Sequence, residues 1–353
     1  MSLSRRRFVQ TSLGAGAALG WSRASLAQAS KPQAITCLFP FQTFGTDWSF
    51  FFAAQALGYF KEEGLDVTAQ PTKGSPEVGR LLAAGQGDIG FAGAEAIIMN
   101  VSKGLPVRDV FTVQQGVVYR VGVPEGSPIK TVADLKGKRI GSQSLTGSTV
   151  FLAKALVKQA GLDPERDVTF IPIGLGAQAM AALRAKEVDA ATFGDTTFVE
   201  FAQNGMPFSF FPLESFSDHF GVGIVTPAAA VTERGDTITR FSRAVAKGIV
   251  YSFANPEATV RQMQKVVPGV AAKDFEGGVA RLKVRQEAIK LPAAAGGQWG
   301  WNTPERYNAF ADFLLGVGFI ERPVKSEEVM DRRYIKAINA FDPEPVIRAA
   351  KSA

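Results

Sequence analysis

Six short segments of this chain hold most of the residues that could do chemistry on a small molecule. Each reads as the link between a strand and the helix after it. They are PFQTFGTDW at 40–48, TKGSPE at 72–77, AGAE at 92–95, SQSLTGST at 142–149, IGLGAQ at 173–178 and FGDTT at 193–197. All six contain glycine, which lets a ligand approach the main chain closely. Most carry Ser or Thr where a helix should begin. Unpaired N–H groups and the dipole at such a helix start favour an anionic or strongly accepting group. Thr146-Gly147-Ser148-Thr149 is the sharpest of these elements. Ser and Thr also cap ordinary helices, so the argument rests on the loops converging and not on any single one. It is not a phosphate-binding P-loop, because no Lys follows the glycines in the required frame.

The first segment adds Phe41, Phe44 and Trp48. These rings suit an apolar wall that stacks on a carbon skeleton, although at least one of the three is expected in the core. Four carboxylates, Asp47, Glu77, Glu95 and Asp195, lie in the same loops, with Lys73 and Arg80 as the nearest cations in sequence. A site for a strong anion gains nothing from four acids, so some should cap helices or accept hydrogen bonds from a ligand's amino groups. The candidate ligand-binding residues are therefore Gln42, Phe44, Gly45, Thr46, Asp47 and Trp48 in the first loop, and Gly74 and Ser75 in the second. Ala94 and Glu95 follow from the third, and Thr146, Gly147, Ser148 and Thr149 from the fourth. Gly176 and Asp195 complete the set.

The scarce residue types exclude several chemistries. One cysteine, Cys37, allows no intrachain disulfide. One histidine, His219, argues against His-ligated zinc and leaves a single candidate for a His-based dyad. No catalytic residue, metal ligand or cofactor is assigned. With 46% apolar and 20% charged residues in 353, the chain is long enough to bury large cores, and disordered or coiled-coil readings do not fit. The net charge of +6 is concentrated at the N-terminus. The first 27 residues carry Arg5, Arg6, Arg7 and Arg23 and no acid, and the remainder holds 35 basic against 33 acidic residues. Nucleic-acid binding loses its electrostatic footprint once that segment is set aside.

SRRRFVQ at 4–10, an uncharged stretch from Thr11 to Trp21 and the small residues of SRASLAQAS form the three parts of a secretory signal. The arginine pair is similar to a twin-arginine export signal. Residues 1–29 are expected to be removed, with cleavage after Ala27 or Ala29. Cys37, within ITCLF, reads as a core residue and not as a lipid anchor. No later segment reaches ~18 consecutive apolar residues, so a periplasmic chain that does not span the membrane is expected.

The elements that must position the loops alternate strand and helix. Strands are expected at 35–39, 67–70, 89–92 and 110–114, and helices at 49–60, 76–84 and 95–103. The rhythm restarts with strands at 139–142, 168–172, 190–193 and 208–211, and helices at 148–160, 178–185 and 196–204. Helices then dominate at 237–254, 256–267, 273–290, 304–316 and 331–341. This predicts an α/β protein of two lobes, each a mostly parallel sheet flanked by helices, with a helical C-terminal region on the first. Lobe 1 is expected over 33–118 plus 213–345 and lobe 2, inserted, over 119–212. Residues 222–231 read as a strand pair returning to lobe 1. Ligands of such sheets sit at the carboxyl ends of the strands.

The residues also resemble a family. FQTFGTDWSFFFAAQALGYFKEEGLDVTAQPTKGSPEVGRLLAAGQGDIGFAGAE, SPIKTVADLKGKRIG and LTGSTVFLAKALVKQAGLDPERDV are similar to periplasmic solute-binding proteins of the nitrate/sulfonate/taurine ABC importers, a group that includes thiamine-pyrimidine-precursor binders. LRAKEVDAATFGD fits as well, and the likeness covers roughly residues 35–215. It implies a type II periplasmic-binding-protein fold with the solute in an interlobe cleft. It also implies a permease and its ATPase subunit as partners, and a monomer. FQTFGT is similar to the first loop of alkane-sulfonate binders, and Ala94-Glu95 to their Gly-Glu pair with Ala in place of Gly. Asp47-Trp48 is similar to the Trp and acidic partner of pyrimidine binders. The implied ligand is thus a sulfonate, nitrate or related organic anion, or alternatively a thiamine-precursor pyrimidine or other nitrogen heterocycle. Some thiamine-pyrimidine synthases share the likeness, but they use several His and Cys residues around iron. A sensor that serves a membrane kinase would look the same in sequence.

Overall fold

The computed structural model describes residues 31–353 apart from 214, 215, 217 and 218. The expected signal segment, 1–29, lies outside the described residues. Short apolar runs, most of them buried on both faces, make ten strands among the described residues. The first four are β1 (Gln33–Phe39), β2 (Leu65–Pro71), β3 (Ile89–Gly93) and β4 (Val107–Thr112). Then follow β5 (Tyr119–Pro124), β6 (Lys138–Ser142), β7 (Val168–Pro172), β8 (Ala190–Gly194) and β9 (Phe208–Phe210). The last is β10 (Val222–Pro227). They form two five-stranded sheets, ordered β2-β1-β3-β10-β4 and β7-β6-β8-β5-β9.

Each sheet has one reversed strand. β10 pairs antiparallel with β3 and β4, and β5 pairs antiparallel with β8 and β9. The other pairings are parallel. Both reversed strands follow a crossing between sheets. A chain that leaves one sheet at a strand's carboxyl end joins the next sheet at that same edge, and so must run the opposite way. The crossovers lie side by side: Gln114 N–H donates to Val222 O (3.0 Å) and Gly221 N–H to Gln114 O (3.0 Å). β5 was not expected from sequence. The strand pair expected at 222–231 is β10 alone, followed by a helical turn.

Between the strands come α1 (Ser49–Ala56), α2 (Tyr59–Glu62), α3 (Ser75–Ala83) and α4 (Ala94–Ser102) in the first lobe. The second lobe has α5 (Ser148–Gln159), α6 (Gly176–Arg184) and α7 (Asp195–Gln203). One helix was expected at 49–60, but Gly58, at φ +84°, divides it into α1 and α2. The tail holds α8 (Ala230–Glu233), α9 (Gly235–Ala254), α10 (Pro256–Val266), α11 (Phe275–Ile289) and α12 (Pro304–Gly316). It ends with α13 (Ser326–Val329), α14 (Ile335–Ile338) and α15 (Glu344–Lys351). The helix expected at 331–341 shrinks to α14.

Apolar side chains cover both faces of both sheets. The largest cluster joins β1 and β3 to α1 and α9 through Phe39, Phe51, Phe91 and Phe241. Cys37 lies in it, fully buried, with its thiol pushed well up by burial. The tail is tied to β4 by the fully buried Asp109, which accepts from Tyr307 and pairs with Arg332 at 3.3 Å. No helix of the described residues is long and apolar enough to cross a membrane.

Candidate functional site

Five helices, α3 to α7, begin at the carboxyl ends of strands. The residues at their cap positions are Gly74, Gly93, Gly147, Leu175 and Gly194, and none makes a side-chain capping bond. The hydroxyls expected to cap therefore stand one residue inside their helices. Ser75 Oγ accepts from Gly93 N–H (3.0 Å), and Ser148 Oγ lies 3.4 Å from Ser75 Oγ, which joins α5 of the second lobe to α3 of the first.

The starts of α3, α5, α6 and α7, but not that of α4, line a cavity of about 440 Å³. From the first lobe it is lined by Phe41, Thr43, Phe44, Gly45, Asp47, Trp48, Lys73, Gly74 and Ser75. The second lobe supplies Gln143, Ser144, Gly147, Ser148, Thr149, Leu175, Gly176, Thr196, Thr197 and Glu200. Gln114, Val118, Tyr119 and Val222 line it from the crossovers, and Arg281 and Arg285 from α11. At Gly176 the main chain takes φ +55°, which a side chain would strain.

Of the residues chosen from sequence, Phe44, Gly45, Asp47, Trp48, Gly74, Ser75, Gly147, Ser148, Thr149 and Gly176 line this cavity. Gln42 and Thr146 do not; both are exposed. Thr46 is buried, 2% exposed, with its methyl group toward Gly278 of α11. Ala94 is core. Glu95 is buried and Asp195 is partly buried, its side chain 13% exposed; neither lines the cavity. Glu77 turns back to accept from Lys73 N–H (2.6 Å), the capping role that was left open for it.

The helix expected at 273–290 forms as α11, but sequence reading gave it no part in the site. Arg285 Nη2 sits 3.3 Å from Asp47 Oδ2 and 3.1 Å from Asp195 Oδ1, with 5% of its side chain exposed. One turn earlier, Arg281 Nη1 reaches Asp274 and Gln203, each at 3.2 Å. Nothing local marks these arginines among the 39 basic residues, because only the fold brings residues 238 positions apart into contact. Gln114 and Tyr119 were passed over for a similar reason: the reversed strand after the crossover was not seen.

Burial governs the acids here. Glu95, 4% exposed, is pushed above the usual carboxyl range by burial, against hydrogen bonds from Ser148 and from main-chain N–H groups. Its Oε1 has no hydrogen-bond partner. Asp195 is also raised by burial, opposed by Arg285 and by the Thr196 N–H. Tyr119 is raised by burial and by the nearby Glu95.

Among the described residues, no group of His, Cys, Asp and Glu is placed to hold a metal ion. His219 is buried with its ring stacked on Phe310 at 4.0 Å, and Cys37 is in the core. Neither lines the cleft.

Two lobes with opposed strand ends and a polar, partly aromatic cavity between them define a periplasmic-binding-protein fold. The alkanesulfonate-binding protein SsuA of Xanthomonas axonopodis pv. citri, solved with bound MOPS, superposes with a TM-score of 0.65 at 19% identity, over 86% of this chain and 99% of that one. The chain belongs to the NMT1/THI5-like family, whose model matches residues 45–259. Among curated relatives, the riboflavin-binding protein RibY of Chloroflexus aurantiacus is 21% identical over 292 residues, which is 81% of each chain. The formylaminopyrimidine-binding protein of Halalkalibacterium halodurans is 24% identical over 288 residues, 79% of this chain and 84% of that one.

Proposed function

We propose that this protein is the solute-binding component of an ABC importer. It captures a small organic solute in the interlobe cleft and delivers it to a membrane permease and its ATPase, working as a monomer in the periplasm. Lobe 1 comprises 33–118 and 213–345, and lobe 2 comprises 119–212. The observation that carries this reading is the cavity of about 440 Å³, lined from both lobes at the strand ends, within the size range of small-molecule sites. Solute binding shifts the population toward the closed form, and the permease reads closure. No covalent step is needed.

The solute is a sulfonate, nitrate or related organic anion on the reading that weights the helix starts and Lys73, Arg281 and Arg285 most heavily. Phe41, Phe44 and Trp48 would cover its carbon skeleton. A nitrogen heterocycle such as a thiamine-precursor pyrimidine is the second reading. Asp47 and Glu200 on the wall support it, because carboxylates offset the cations and accept from ring N–H groups.

A thermal-shift screen of sulfonates, nitrate, aromatic acids, pyrimidines and flavins tests both, since a ligand that binds only the folded state raises the midpoint. At 100-fold excess over Kd the stabilisation is about 2.7 kcal/mol. One class should raise the midpoint and saturate by calorimetry. A flat response across the panel would count against solute capture.

A further inference from the structure

Arg285 touches both lobes at once. Its Nη2 lies between Asp47, which follows β1 of the first sheet, and Asp195, which follows β8 of the second. The two carboxylate side chains are only 18% and 13% exposed. The helix that carries Arg285 packs against α10 of the first lobe and also against α7 of the second. Gln286 Nε2 donates to Ser252 O of α9 (2.6 Å), and Val279 and Leu282 pack against Val260 of α10. The Ala288 carbonyl accepts from Gln115 N–H (2.6 Å) at the first crossover. Asp195, in contrast, begins α7, and its own N–H donates to Val118 O (2.7 Å). Arg281, on the same face of α11, meets Gln203 of α7.

We propose that Arg285 is a positioning residue for solute capture, an ionic latch that holds the second lobe shut by binding Asp195 against the Asp47 side of the cleft. Opening would leave Arg285 with Asp47 and return Asp195 to water, so the three-charge cluster exists in full only when the lobes are closed. Removing one partner from a largely buried charge cluster is costly because the others stay desolvated. Burial disfavours the Asp195 carboxylate, and in the closed form Arg285 and the Thr196 N–H offset that cost before any solute arrives. Arg285 also lines the cavity, and its Nε and Nη1 are buried without a protein partner. A solute that accepts from them would engage the group that sets closure, and binding and closure would strengthen each other reciprocally. This last step rests on the solute-binding reading; the latch itself does not.

The test is an interlobe distance distribution from pulsed electron paramagnetic resonance on the full chain without added solute. Spin labels replace the exposed Arg80 and Ala177, as R80C and A177C. The buried, high-pKa Cys37 thiol does not compete for label. The parent should show a short-distance population. Asp195→Asn and Arg285→Ala should each lower the closed-to-open ratio about tenfold or more. Arg285→Lys, which keeps the charge but not the two-sided reach, should fall between. Asp47→Asn, which leaves the interlobe pair, should change the ratio least. Far-UV circular dichroism checks that each variant folds. If Arg285→Ala fails that check, Asp195→Asn still decides, because its side chain keeps the oxygen that accepts from Thr196 N–H (2.8 Å). A parent distribution retained in Asp195→Asn overturns the latch. It would leave a positive solute screen standing, and a flat screen with a distance shift would leave the latch standing.

Discussion

The two walls of the cleft are built differently. The wall from the first lobe is a packed aromatic mass. Trp48 is 4% exposed and lies 5.1–5.5 Å, ring centre to ring centre, from Phe39, Phe41, Phe50 and Phe91. The wall from the second lobe is mostly glycine, hydroxyl and amide, with Leu175 and Glu200 as its apolar and acidic members. A side chain that serves as core and as wall has a shape set by folding, because interiors are close-packed. A polar wall can reorganise at little cost. The first lobe should therefore fix the form of the solute it accepts, and the second should supply polar contacts as it closes.

The largest expected effect that would break this contrast is Trp48→Ala. Loss of a large aromatic from a packed core costs about 3–5 kcal/mol, read by denaturant unfolding. A loss below about 1 kcal/mol would mean that Trp48 is a free-standing wall and not part of the core. Next is Gly248→Ala on α9. A methyl group there would lie 2.2 Å from Phe50 O of α1, directly behind the aromatic wall. Overpacking of this kind costs about 1–3 kcal/mol. Solute affinity should fall with it; unchanged affinity at reduced stability would uncouple the wall from its backing.

On the other wall, Ser148→Ala should cost about 1 kcal/mol, the net worth of a hydrogen bond. It should weaken an acidic solute more than a neutral one, and equal loss for both would remove the helix start as an anchor. The smallest effect is a pH dependence. Glu95 has a raised pKa, so the folded state favours its protonated form. That contribution is fully present below the ordinary value of 4.5 and is lost as pH rises through the raised folded value. Asp195 adds in the same direction. Glu95→Gln removes the Glu95 part. The variant's thermal midpoint should therefore gain on the parent's between pH 4.5 and pH 7.5, and parallel curves would place an ionised, solvated Glu95 in the cleft.

Much of the site was legible because it is local. Helix starts after short strands carry Gly with Ser or Thr, and ten of the sixteen residues chosen on that pattern line the cavity. The misses share a cause. Thr46, Ala94 and Glu95 are buried away from the cavity, Asp195 is partly buried beside it, and Gln42 and Thr146 are exposed outside it. All lie within a residue or two of cavity-lining or helix-starting positions, and a one-residue change of direction there is invisible to composition. β5 was missed because its alternating run, YRVGVP, lies directly beside the crossover.

Sequence alone determined the alternating elements, the six loops and the exclusion of disulfide and multi-histidine chemistry, because these depend on residue type and short-range spacing. Tertiary structure decided which loop residues face the cavity. It also brought Arg285 from the helical tail between Asp47 and Asp195. That contact joins three segments far apart in the chain, and long-range charge pairing leaves no periodic trace in any one of them.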